Sequence, residues 1–295
     1  MSLRLMAVHA HPDDESSKGA ATYASYVDRG AQVMVVSATG GEAGDVLNPG
    51  LESIRHAERD LAGLRRVEMA AAQRILGIEH RWLGYVDSGM AREDGSLPFG
   101  SFASIPVEVS ARPLVRLVRE FRPHVLVSYD ENGGYPHPDH IRSHEIAMHA
   151  WREAGRDTQP ELGEPWRIAK LYYDRTMNAS RTNSLFEALK ATDPDSHLVE
   201  RMAEIVEWMR SKPEVPTTRV HVGGYFARRD EALRAHASQV APDNEFFFGF
   251  PRELELETYP YEDFQLVESR VEGTDAEEDL FAGVDAGVLD AGGGA

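Results

Sequence analysis

Short apolar runs, several rich in Val, alternate with segments of helical periodicity through the first half of the chain. That alternation restricts the fold more than any other feature. The runs fall at residues 3–9, 32–38, 80–85 and 124–129. Between them, residues 16–29, 54–76 and 107–121 read as helices, the second through Leu61, Leu64, Met69, Ala72, Ile75 and Leu76. Strands that are continuous apolar runs rather than alternating ones are buried on both faces, and the intervening helices supply the cover. The expected fold is α/β: a doubly wound, Rossmann-like, mostly parallel sheet with helices on both faces. In such sheets ligands gather beyond the carboxyl ends of the strands.

The second half differs in character. Residues 178–216 read as a helical insertion, with Leu185, Phe186 and Leu189 on one helix and Leu198, Met202, Ile205 and Trp208 on the next, closed by Pro213 and Pro216. A short strand near Val220 and a helix over 228–240 follow. Beyond Arg270 the chain has seven acidic residues and no basic one. We expect a single catalytic domain over 1–283, with 178–216 a variable segment near the substrate pocket, and a disordered acidic, glycine-rich tail over 284–295.

Composition narrows the function classes. The 295 residues carry 31 basic and 49 acidic side chains, a net charge of −18, and no cysteine. Disulfide scaffolds, cysteine zinc fingers, iron–sulfur centres and cysteine nucleophiles are excluded, so a transition metal would rest on His, Asp or Glu. The acidic balance argues against a nucleic-acid partner. No run approaches the ~18 apolar residues of a membrane span, and the apolar N-terminus is too short for a signal peptide. The expected setting is cytoplasmic, with a small-molecule substrate and neither nucleic acid nor membrane as partner.

Two segments echo one another: His11-Pro12-Asp13-Asp14-Glu15 after the first strand, and His137-Pro138-Asp139-His140 shortly after the strand at 124–129. Taken singly, each reads as a loop whose Asp caps a helix. Together, at the carboxyl ends of neighbouring strands, they can bring two imidazoles and a carboxylate to one point, the three-ligand set of a catalytic metal site. We assign His11, Asp14 and His140 as ligands to one ion per chain, Zn²⁺ or Fe²⁺, since a His₂Asp set suits both. Asp13 then stands beside the metal as a base, because a bound metal lowers the pKa of its water towards about 7.

Between the second strand-end and its triplet lies Glu131-Asn132-Gly133-Gly134-Tyr135-Pro136. Its glycines permit a tight turn and close approach to a ligand. Tyr135 and His137 could face the open side of the metal and stabilise an oxyanion, and Asp139 could fix the tautomer of an imidazole. Tyr135 could equally be a packed aromatic. Lys18, Glu42, Arg65 and Asp87 are candidates for substrate contact. Against them stand ordinary roles: an exposed Lys18, a turn carboxylate at Glu42, a solvated helix charge at Arg65. Glu42 could also support His11, and His236 shares that ambiguity, with a structural role the default.

The paired segments Ala10-His11-Pro12-Asp13-Asp14 and His137-Pro138-Asp139-His140 resemble the PIG-L/LmbE-like family of zinc-dependent deacetylases. Residues 7–22, 129–140 and Asp279-Leu280-Phe281-Ala282-Gly283 are similar to one branch of it, as is Leu233-Arg234-Ala235-His236-Ala237-Ser238-Gln239; residues 178–216 match least. The resemblance implies an LmbE-like fold and cleavage of the amide joining glucosaminyl-inositol to the acyl-cysteine part of a mycothiol conjugate, a detoxification step. The sister reaction, removal of acetate from N-acetylglucosaminyl-inositol or another N-acetyl sugar, is the alternative. Carried over by position, the family's ligands fall on His11, Asp14 and His140, and its base on Asp13. Its oxyanion pair falls on Tyr135 and His137 with Asp139 behind them, and sugar contacts fall on Arg65 and Asp87. Lys18 matches the amidase branch.

Overall fold

The computed structural model describes residues 2–210, 215–273 and 277–285. Its first half runs β1 (Arg4–His9), α1 (Asp14–Ser17), α2 (Ala20–Asp28), β2 (Gln32–Thr39), α3 (Ile54–Arg59), α4 (Leu61–Leu76), β3 (Glu79–Tyr85), α5 (Val107–Ser110), α6 (Arg112–Phe121), β4 (Val125–Ser128) and α7 (Pro138–Glu153). β5 (Lys170–Asp174), α8 (Ala179–Thr192), α9 (His197–Arg210), β6 (Thr218–His221), α10 (Phe226–Ala235), α11 (Glu245–Phe248), α12 (Arg252–Thr258) and β7 (Tyr261–Ser269) follow.

The sheet order is β3-β2-β1-β4-β5-β7-β6. The first five strands are parallel, and β7 runs antiparallel to both β5 and β6. Winding reverses beside β1, which pairs with β2 on one side and β4 on the other. A crevice opens at such a switch point. Successive residues of β1 face opposite sides: Leu5 and Ala7 join Tyr23, Met69 and Phe226 under α2, α4 and α10, whereas Met6 and Val8 join Leu114, Val118 and Ile146 under α6 and α7. This two-sided burial is why the strands lack polar alternation. Leu126 is wholly buried, and its truncation to Ala would cost about 2–5 kcal/mol.

Three helices read as continuous are interrupted. The 16–29 helix is two pieces because Gly19 takes φ 85°. The 54–76 helix restarts at Asp60, whose carboxylate accepts from the Gly63 amide (2.8 Å) and caps α4. The 107–121 helix restarts around Pro113, which brings no amide donor and suits the first turn of α6. The helix read over 228–240 ends at Ala235, because the next segment is drawn onto buried partners described below. In the insertion, α9 buries Leu198, Val206 and Met209 while Trp208 stays exposed. Pro213 lies outside the described residues.

The acidic end is docked further along than expected. Lys170 and Tyr172, both buried, donate to Glu277 at 2.7 and 2.8 Å. Tyr26 donates to Asp279 (2.9 Å) and accepts from the Leu280 amide, with Phe281 against its ring. Val284, the first residue of the expected tail, packs on the core; residues 286–295 lie outside the described residues. Among the described residues no helix is long and apolar enough to cross a membrane.

Candidate active site and metal centre

The loops leaving β1 and β4 meet at the switch point and bring both His-Pro-Asp segments together. Ligand atoms of His11, Asp14 and His140 lie within 4.8 Å of one another. His140 hydrogen-bonds the Gly133 carbonyl through Nδ1 (2.9 Å), which leaves Nε2 as the lone-pair nitrogen. That Nε2 is buried without a hydrogen-bond partner and sits 3.4 Å from Asp14 Oδ2. A buried, unpartnered imidazole nitrogen beside a carboxylate fits a cation. Gly133 is required here: at φ +71° its missing Cβ would come within 2.6 Å of His140 Cβ.

Burial pushes the His140 imidazole down to about 3 although Asp14 opposes it, so it is neutral, as a metal ligand must be. Burial alone would raise the Asp14 carboxyl, but Lys18, with His11, outweighs it and holds Asp14 well below its ordinary value. Asp14 Oδ2 accepts from the Tyr129 hydroxyl (2.8 Å) and the His11 amide (3.1 Å), and Oδ1 accepts from Lys18 Nζ (2.6 Å). Lys18 thus rests on a candidate ligand, with its ammonium over the Tyr129 ring.

Asp13 stands in the N-cap position of α1, yet its side chain makes no capping bond. The ordinary explanation for an Asp before a helix does not hold. Its backbone is left-handed, φ 101°, a conformation that costs a non-glycine residue on the order of 1–3 kcal/mol. Its Oδ2 accepts from Arg65 Nη2 (3.1 Å), which also bonds the Pro12 carbonyl, while Nη1 bonds the Gly41 carbonyl. Arg65 is therefore a buried clamp across two loops, not a solvated helix charge. Gly41 makes room for it, since a Cβ there would lie 2.1 Å from Nη1. Burial raises the Asp13 carboxyl above its ordinary value against the pull of Arg65, the direction that suits a base at neutral pH.

On the opposite side, His137 packs edge-on against His11 with ring centroids 4.7 Å apart. Its Nδ1 accepts from the Asp139 amide (3.2 Å), capping α7 and leaving Nε2 as the N–H of the neutral ring. Burial, then His11, lowers its pKa. Tyr135 is half-exposed and covers His140 at 4.5 Å between centroids; it is not packed into the core. Asp139 is wholly buried, accepts from the Ser88 amide (2.9 Å) and lies 3.5 Å from His11 Nε2. It stands beside both His11 and His137, the ligand atoms of the three lying within 4.8 Å of one another. Asp87 Oδ1 is 3.6 Å from the same nitrogen. Burial would lower the His11 pKa, but Asp139, Asp14 and Asp87 together raise it well above 6.5. Glu42, exposed, accepts from the Asp87 amide (3.0 Å) and supports that loop instead of His11.

Every candidate residue thus falls at this end of the sheet. Tyr129 and Glu15, given no role from sequence, join them, and so does His236, read above as structural by default. Tyr129 bridges Asp14 and the Ala10 amide. Glu15, fully buried, accepts from the Asp13 amide (2.9 Å), and His236 Nε2 lies 2.7 Å from its other oxygen. Glu15 adjoins the first motif, the one local signal for it. His236 sits 221 positions away.

The sequence model of the PIG-L family, described as GlcNAc-PI de-N-acetylase, matches residues 6–151. The chain is 46% identical over 288 residues to a mycothiol S-conjugate amidase of Streptomyces coelicolor, covering 96% of this chain and 97% of that one. It is 40% identical over 291 residues to a 1D-myo-inositol 2-acetamido-2-deoxy-alpha-D-glucopyranoside deacetylase of Streptomyces scabiei, covering 95% and 90%. Among solved structures, the N,N'-diacetylchitobiose deacetylase of Pyrococcus horikoshii superposes with a TM-score of 0.60 at 20% identity, over 90% of this chain and 83% of that one. The last likeness concerns the fold alone. The chain belongs to the PIG-L family and is an amide-bond hydrolase.

Proposed function

We propose that this protein is a metal-dependent amidohydrolase that cleaves the amide of mycothiol S-conjugates, releasing glucosaminyl-inositol and an N-acetylcysteine S-conjugate, a mercapturic acid. The observation that carries this reading is the 46% identity to the Streptomyces coelicolor amidase, against 40% to the deacetylase. His11, Asp14 and His140 would hold one Zn²⁺, with Fe²⁺ the alternative. The bound ion supplies Lewis acidity at the amide carbonyl and makes water more acidic.

The remaining chemistry belongs to the chain. Asp13 takes a proton from the attacking water, its carboxylate held in place by Arg65 and its affinity for the proton raised by burial. The Tyr135 hydroxyl and the Nε2–H of His137 donate to the developing oxyanion. Asp139 keeps His11 oriented from behind. The amine leaves after protonation by Asp13, which holds the proton taken from the water, or by His137 in its doubly protonated form. Lys18, Glu42 and Asp87 would contact the sugar, and Arg65 would serve it through Asp13. The catalytic unit spans 1–283, and the substrate is a small thiol–sugar conjugate handled in the cytoplasm.

A second reading, removal of acetate from N-acetylglucosaminyl-inositol, is favoured by the 40% identity across the deacetylase. Turnover of a bimane-labelled mycothiol conjugate, compared with turnover of the acetylated sugar at matched metal content, separates the two. Faster release of the bimane mercapturate is the expected result. Release of acetate alone overturns the amidase reading.

A further inference from the structure

We propose that Glu15 and His236 form a positioning pair for Asp13, holding its backbone in the left-handed conformation from which its carboxylate works. This rests on the reading of Asp13 as the base. Asp13 adopts φ 101° and ψ −27° with no glycine to relieve it and no capping bond to account for it. Its anchoring is divided. Arg65 fixes the side chain through Oδ2. The backbone is fixed separately: the Asp13 amide donates to Glu15 Oε2 (2.9 Å), and its carbonyl accepts from the Ser16 and Ser17 amides at 3.0 Å.

Glu15 can hold that amide only if its own carboxylate is held. It is fully buried, and its other oxygen accepts from the Ser16 hydroxyl (2.5 Å) and faces His236 Nε2 at 2.7 Å. A buried carboxylate without partners takes up a proton or turns towards a donor. His236 supplies the partner from 221 positions along the chain. It stands just past α10, is itself fully buried, and its loop is stitched down independently of it. Ser238 bonds Glu68 through amide and hydroxyl (both 2.7 Å), Asn48 donates to the Ala237 carbonyl (2.9 Å), and the Leu47 amide donates to the Ser238 carbonyl. His236 is therefore presented to Glu15 by a fixed frame, and losing its imidazole need not undock the loop. Neither residue belongs to the ligand cluster or to the oxyanion pair. Both act through Asp13.

The test uses the full-length metal-loaded enzyme with His236→Ala and His236→Gln, the latter retaining a side-chain N–H donor for Glu15. For His236→Ala, kcat falls about 10- to 100-fold while KM moves less than about twofold and metal content is unchanged. His236→Gln recovers most of the loss. A structural role would instead lower thermal stability and active fraction without this kcat-specific split. Crystal structures supply a readout independent of turnover: in His236→Ala, Asp13 leaves positive φ while the His11, Asp14 and His140 cluster is preserved. Unchanged kcat in His236→Ala, a loss that His236→Gln does not reverse, or Asp13 retained at φ near 101° each overturns the proposal. A wild type that hydrolyses neither substrate refutes the functional reading instead, and the crystallographic comparison still decides this one.

Discussion

Tyr129 holds two of the three clustered ligand residues at once: its hydroxyl donates to Asp14 Oδ2 at 2.8 Å, and its ring stacks on His140 with centroids 4.4 Å apart at 23°. Both residues are thereby oriented by one side chain at the end of β4. Tyr129→Phe keeps the stacking and removes the hydrogen bond. We expect metal affinity to fall about tenfold with the fold intact. Competition against a chelator of known affinity measures this, and an unchanged affinity would show that the hydroxyl does not orient Asp14.

Asp13→Asn preserves shape and removes the proton acceptor. The expected result is a loss of about 10²–10⁴ in kcat at full metal occupancy. Substrate affinity should change little. Substantial turnover in metal-saturated Asp13→Asn would remove Asp13 from the role of base.

His80 reports on stability rather than catalysis. It is buried beside Ser37, with Nε2 3.0 Å from the hydroxyl, and burial pushes its pKa down from 6.5 to about 4. The folded state thus favours the neutral imidazole more strongly than the unfolded chain does. Its contribution is complete above about pH 6.5 and is lost as the pH falls from there towards about 4. At pH 4.5 the loss is roughly 2–3 kcal/mol. Urea midpoints for wild type and His80→Gln, compared at pH 7.5 and 4.5, should converge at the lower pH. A constant difference between the two proteins would contradict this.

The Lys170–Glu277 pair ties residues after Gly273 to β5 in full burial, side chains 0% and 2% exposed. Lys170→Met alone leaves a buried carboxylate without its cation and should cost about 3–5 kcal/mol. Lys170→Met combined with Glu277→Leu should recover most of that loss. Equal destabilisation of single and double variants in equilibrium unfolding would mean the pair is not coupled.

What could be read from sequence divides by the range of the interactions involved. β1, β2 and β4 declare themselves because continuous apolar runs need no partner to identify them. The ligand cluster declares itself because each half is a compact motif at a strand end. β5 and β7 are less legible. β5 opens on a buried lysine whose partner is 107 positions away, and β7 carries Glu262 and Asp263, buried only because Thr22 and Tyr259, among others, satisfy them. Arg65 reads as a surface charge for the same reason: its acceptors, the carbonyls of Pro12 and Gly41 and the Asp13 carboxylate, lie on other loops. The helix breaks at Gly19 and Pro113 carry visible local causes, but helical periodicity runs across them and hides them.

The docking of late residues onto early ones also bears on how the protein is made. Glu15 meets His236, Thr22 meets Glu262, and Tyr26 meets Asp279. A ribosome adding about 5–20 residues per second needs roughly 12–50 s between the first and last members of these pairs. In the later part of that interval, once His140 has been added, the nascent chain carries both His-Pro-Asp motifs with Glu15, Thr22 and Tyr26 still lacking their later partners. Arrival of His236, Glu262 and Asp279, more than emergence of the motifs, sets the moment at which this site is complete.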